Sequence, residues 1–105
     1  MAKFGIDFDG VILSHPELPS SSNWYHNKPV KNALSGIKYL LSLEHDLYIC
    51  TNRTPDEWDK VKSWLDRYGF PDMVITNVKL KSTTLYLDDR AYRFRGWKDF
   101  CKLIK

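Results

Sequence analysis

The sequence predicts an α/β fold, a three-layer α/β/α sandwich built on an open, mainly parallel sheet. Three observations predict it. Short apolar runs alternate with longer amphipathic stretches along the 105 residues. Three of those runs stop in polar residues suited to holding phosphate or metal. The order strand, helix, strand, helix, strand is that of parallel strands joined by right-handed crossovers.

The first run, Lys3 to Ile12, carries the densest information. It opens with apolar residues and ends in Asp7-Phe8-Asp9-Gly10, which reads as a buried strand and its exit turn. Alternation along a strand sends Asp7 and Asp9 to one side and Phe8 to the other. Gly10 permits a sharp turn there. Two acids at the end of a buried strand are costly without a positive partner. A hard cation with oxygen ligands, Mg2+ being the usual one, satisfies them.

Asp-x-Asp-Gly alone is also ordinary turn chemistry. Two further run endings shift the balance. Thr84-Leu85-Tyr86-Leu87 stops in Asp88-Asp89, and Leu47-Tyr48-Ile49-Cys50 stops in Thr51-Asn52-Arg53.

Between these runs, a polar stretch from Ser14 to Lys28 holds His15, Pro16, Pro19, Trp24, Tyr25 and His26. A connection of that length is usually functional or mobile, and this one is placed to lean over the acids. Its rival reading is a surface excursion with Trp24 tucked in. Pro29 then opens a helix from Val30 to about Glu44, with Val30, Leu34, Ile37, Leu40 and Leu41 on one face. Asp46 to Cys50 is the second strand. Thr54-Pro55-Asp56-Glu57 predicts a helix start with a capping box. Trp58, Val61, Trp64, Leu65 and Tyr68 form its buried stripe, and Gly69 its C-cap. Met73 to Thr76 and Thr83 to Leu87 are two more strands. A last short helix, Trp97 to Ile104, is expected to pack back through Phe100, Leu103 and Ile104.

Composition narrows the class of protein. The length suits one domain spanning 1–105, with a core that needs no disulfides. Cys50 and Cys101 lack metal-ligand spacing and read as buried thiols of a reducing compartment. No apolar stretch is long enough for a bilayer span, and the N-terminus shows no signal-peptide pattern. A cytoplasmic protein with no membrane partner is the expectation. A net charge of +3 assists an anionic substrate but falls well short of a dedicated nucleic-acid binder.

The ordered set of Asp7-Phe8-Asp9-Gly10-Val11, Thr51 behind an apolar strand, a lysine, and Asp88-Asp89 resembles the haloacid dehalogenase (HAD) superfamily of phosphotransferases. The resemblance covers nearly the whole chain. It implies a Rossmann-like domain, here without room for a separate cap domain. It further implies that Asp7 is the nucleophile, forming an aspartyl-phosphate, and that Asp9 is the general acid and base. Asp7, the main-chain carbonyl of Asp9, and Asp88 would hold Mg2+, with Asp89 sharing or supporting the metal. Thr51, Asn52 and Arg53 would bind phosphate oxygens, and Lys79 would neutralise nucleophile and substrate. The family's lysine is often followed by proline, whereas Leu80 follows Lys79, so Lys81 competes for the role. Trp24 is the candidate for contact with a leaving group.

Elementary electrostatics agrees. Like charges about 4 Å apart repel by roughly 4 kcal/mol at an effective dielectric near 20, so clustered acids call for a divalent ion and a lysine. Phosphoryl transfer needs chiefly positioning and charge stabilisation. The expected activity is therefore a Mg2+-dependent phosphomonoesterase. Two alternatives remain open: a receiver-like phospho-acceptor, and a catalytically silent binding module of the same fold. The phosphorylated substrate stays open among a small molecule, a nucleic-acid end and a phosphoprotein, and oligomeric state is not specified.

Overall fold

The computed structural model describes residues 1–14 and 21–104. It is a Rossmann-like α/β fold. Its elements are β1 (Lys3–Ile6), α1 (Ala33–Ser42), β2 (Asp46–Cys50), α2 (Trp58–Arg67), β3 (Val74–Thr76), β4 (Leu85–Leu87) and α3 (Trp97–Leu103), with a 3-10 turn over Ser21–His26. The four strands form one sheet in the order β3-β2-β1-β4, and every pairing is parallel.

This order fixes where the helices go. The steps from β1 to β2 and from β2 to β3 run the same way across the sheet. Right-handed crossovers therefore set α1 and α2 on one face. Ile6, Leu47 and Ile49 meet Ile37 of α1 and Val61, Trp64 and Leu65 of α2 in a single buried cluster, joined by Phe8, Trp24 and Phe70. Phe8 stands edge-on to both Trp24 and Trp64.

The opposite face carries Gly5, Tyr48 and Tyr86, which lie abreast in the sheet register. Its covering layer is the 77–83 connection rather than a helix. The Tyr48 hydroxyl bonds Thr83 at 2.7 Å and accepts the Leu80 N–H at 3.1 Å. Gly5 makes this layer possible, because a Cβ there would fall 2.7 Å from the Tyr48 hydroxyl and 2.9 Å from the Tyr86 ring.

Four local expectations are corrected. Helix α1 begins at Ala33, three residues late, because the Val30 N–H is bonded to the Ile12 carbonyl and Pro29 bridges Leu13. The capping box at Thr54 is not formed. Thr54 bonds the Asp56 side chain, and Glu57 turns to Arg53, leaving Pro55–Glu57 as a 3-10 turn ahead of α2. Helix α3 does not pack back: Leu103 and Ile104 are exposed, and Phe100 meets Tyr92 and Trp97 instead. Cys50 is half-buried, but Cys101 is exposed, contrary to the buried-thiol reading. Among the described residues no helix is long and apolar enough to cross a membrane.

Candidate active site

Parallel pairing of β1 with β4 brings the two acidic sequences together. Ile6 is opposite Leu87, and the Asp7 N–H continues the ladder to the Leu87 carbonyl at 3.0 Å. Asp7 and Asp88 therefore leave the sheet side by side at its carboxyl edge. One carboxylate oxygen from each of Asp7, Asp88 and Asp89 lies within 4.8 Å of the others. Strand β1 is also where the sheet order reverses, the place at which open α/β sheets bind ligands.

A cleft of about 220 Å³ opens here, lined by Asp7, Asp9, Asn52, Asp88, Asp89 and Arg90. Gly10, at φ 85°, turns the chain after Asp9. The Phe8 N–H donates to Asp7 Oδ1 at 2.8 Å and fixes that carboxylate. Burial and then the neighbouring Asp88 push the Asp7 carboxyl up to about 6, against the pull of the Phe8 N–H, with Asp89 and Asp9 adding to the rise. The same burial, followed by Asp7, raises the Cys50 thiol. These shifts describe a site short of positive charge. An all-oxygen set of three carboxylates suits a hard divalent cation.

Asp9 faces the cleft but stands apart from the triple cluster. Arg53 grips both of its oxygens, Nε to Oδ2 at 3.0 Å and Nη2 to Oδ1 at 2.8 Å. The same guanidinium donates to Glu57 at 3.0 Å and lies 4.3 Å from the Trp24 ring centre. The loop behind it is pinned by the Arg53 N–H on Thr51 Oγ1 and by the Trp58 indole on the Arg53 carbonyl. Thr51 is buried, at 2% exposure, and its N–H is bonded to Thr76. Asn52 reaches the cleft.

The sequence-predicted residues thus separate. Asp7, Asp9, Asn52, Asp88 and Asp89 share the cleft. Lys79 lines an adjoining hollow with Asp7, Cys50 and Asp88, its ammonium 5.0 Å above the Tyr86 ring. Lys81 lies at the far end of β1, where its carbonyl accepts from the Lys3 ammonium. Trp24 is a correction: at 4% exposure it is core, with its ring taken up by Phe8 and Arg53, and offers no face to a leaving group. The side chain of Asp9 is held by Arg53, and the atom expected on the metal is its main-chain carbonyl. Of the 14–28 segment, residues 15–20 lie outside the described ones, so the expected shielding of the cleft by His15 and its neighbours does too. Arg90 was missed by sequence reading, although its position directly after the acid pair was a signal. Its N–H holds Asp88 Oδ1 at 2.7 Å.

No protein-family model matches the chain, and no curated protein does. Two solved structures share its fold. A conserved protein of Bacteroides thetaiotaomicron superposes with a TM-score of 0.66 at 22% identity, over 97% of this chain and 88% of that one. The class C acid phosphatase of Bacillus anthracis, with tungstate bound, superposes at 0.56 and 18% identity, over 99% of this chain. This chain spans 47% of the phosphatase's length.

Proposed function

We propose that the protein carries an HAD-type phosphomonoesterase domain that uses Mg2+. The observation that carries this reading is the convergence of Asp7, Asp88 and Asp89 at the switch point of the sheet. Likeness of fold to a protein known as an acid phosphatase supports it.

In this reading Asp7, Asp88, Asp89 and the Asp9 main-chain carbonyl would hold Mg2+, which would supply the positive charge that lets two anions approach. Asp7 attacks phosphorus, forming the aspartyl-phosphate as the ester P–O bond breaks. Asp9, once one of its oxygens is released from Arg53 and protonated, gives that proton to the leaving oxygen. It then takes one from the water that attacks the phosphoenzyme, returning the Asp7 carboxylate and releasing inorganic phosphate. Lys79 screens nucleophile and phosphate from the adjoining hollow. Thr51 shapes the turn that presents Asn52 and Arg53 to phosphate oxygens. Arg53 uses three of a guanidinium's five N–H groups on Asp9 and Glu57, leaving two for a substrate.

The test is phosphate release from an aryl phosphate with and without Mg2+. Asp7→Asn should lower turnover at least roughly 1,000-fold. Lys79→Met should cost roughly 100-fold in kcat/KM, and Lys81→Met less than twofold. Wild-type rates in Asp7→Asn, or release unaffected by chelation, would overturn the proposal.

A further inference from the structure

The nine residues that follow the acid pair, Arg90 to Lys98, contain four cations, three aromatic residues and no acid. All seven of these side chains are exposed. Tyr92 is 43% accessible, Phe94 64% and Trp97 71%. Among the described residues none of Arg90, Arg93, Arg95 and Lys98 makes an ion pair. The rings contact one another and Phe100, at centroid separations of 5.3 to 6.2 Å. The segment also begins inside the site, since Arg90 lines the Asp7 cleft and Ala91 the Lys79 hollow.

Large exposed aromatics grouped in this way mark a binding surface. The charges decide what kind. Protein–protein interface cores are depleted in charge, yet here cations alternate with rings along the chain. A ligand that offers a phosphate for each cation and a flat face for each ring matches that alternation. Single-stranded nucleic acid does both. A duplex hides its base faces in the stack and can use only the cations.

We propose, resting on the phosphomonoesterase reading, that Arg90–Lys98 is a track for single-stranded nucleic acid and delivers a terminal phosphate to Asp7. Hydrolysis there breaks the ester P–O bond. The strand leaves as a free hydroxyl, and water supplies the new oxygen of the released phosphate. The track takes over the leaving-group contact that buried Trp24 cannot make.

Binding can be tested without turnover, using dye-labelled oligo-dT and oligo-U of about ten nucleotides, lacking a terminal phosphate and free of Mg2+, read by fluorescence anisotropy. Four phosphate contacts predict a slope of about −3 for log affinity against log salt. Arg93→Gln with Arg95→Gln should flatten it by about 1.4. Trp97→Ala should weaken binding about tenfold and leave the slope alone. Melting temperatures of these variants should match wild type, because the residues stand outside the core. Tighter binding of oligo-dT or of oligo-U supports the track and tells which strand it serves. No binding at about 50 mM salt, equal or better binding of a duplex, or indifference to both variants overturns it. So does a dimer in sedimentation that Trp97→Ala dissociates, since the rings would then belong to a protein interface. A protein that cleaves aryl phosphate but ignores oligonucleotides loses only the track. One that binds strands through Trp97 but releases phosphate from no ester loses the hydrolase reading instead.

Discussion

Leu47-Tyr48-Ile49 and Leu85-Tyr86-Leu87 are nearly the same tripeptide, and the protein treats them in opposite ways. In β2 all three residues are buried, with Ile49 at 0% exposure; in β4 all three are exposed, with Leu87 at 55%. Strand β2 has neighbours on both sides and α1 and α2 over one face. Among the described residues strand β4 has only β1 beside it, and Leu85 and Leu87 border an open apolar groove with Phe4, Ile6 and Leu40. The difference teaches that position in the sheet, not local composition, sets burial. It extends beyond the strands, because the large aromatics of 1–76 are mainly core while Phe94 and Trp97 stand in water. The acidic cleft lies on the seam, taking Asp7 and Asp9 from the packed half and Asp88 and Asp89 from the open one.

The largest test of that contrast compares two tryptophans. Trp64 is wholly buried, so Trp64→Ala should cost roughly 3–5 kcal/mol in urea unfolding. Trp97→Ala should fall within about 0.5 kcal/mol of wild type. Equal losses would mean that α3 is as firmly packed as α2, and the contrast would be gone.

A smaller effect sharpens the account of the sheet's second face. Gly5→Ala inserts a methyl group under Tyr48 and Tyr86, and overpacking of this kind costs roughly 1–3 kcal/mol. An unchanged unfolding midpoint would show that the tyrosines and the 77–83 connection yield freely.

The smallest effect concerns the seam. The folded protein holds the Asp7 proton more tightly than the unfolded chain, up to about 6 against 3.8. More protons are then bound in the native state, so stability falls as pH rises. Asp7's contribution is full below pH 4 and is lost through pH 6. After discounting for its half-exposed position, about 1 kcal/mol remains, or roughly 4–8 °C in Tm. In chelator at pH 7, Asp7→Asn should melt higher than wild type by about that amount, and Mg2+ should close the gap. A variant that melts lower would contradict the electrostatic picture.

What the sequence made legible follows from the physics of each signal. Strand alternation and the positions of run ends foretold the sheet and the meeting of Asp7 with Asp88, because parallel pairing of neighbouring strand ends leaves little choice. Boundaries were less legible where a distant group outcompeted a local rule. Glu57 has the spacing of a capping residue, but an arginine gripping Asp9 offers it a charged partner. Val30 has helical periodicity, but Ile12 claims its N–H. The pairing of Asp9 with Arg53, 44 residues apart, leaves no local trace. Exposure of the last strand and helix was hidden for another reason: periodicity tells which side chains share a face, not whether anything arrives to cover it.

The central claim is that Asp7 becomes covalently phosphorylated, and borohydride trapping tests it most directly. An acyl-phosphate is reduced by borohydride to an alcohol, whereas a free carboxylate is not. Quenching the enzyme during turnover of an aryl phosphate with Mg2+, then digesting it for peptide mass analysis, should reveal homoserine at position 7. The product should depend on substrate and be absent in Asp7→Asn. Turnover that leaves position 7 unreduced, or places the alcohol at Asp88, would contradict the assignment.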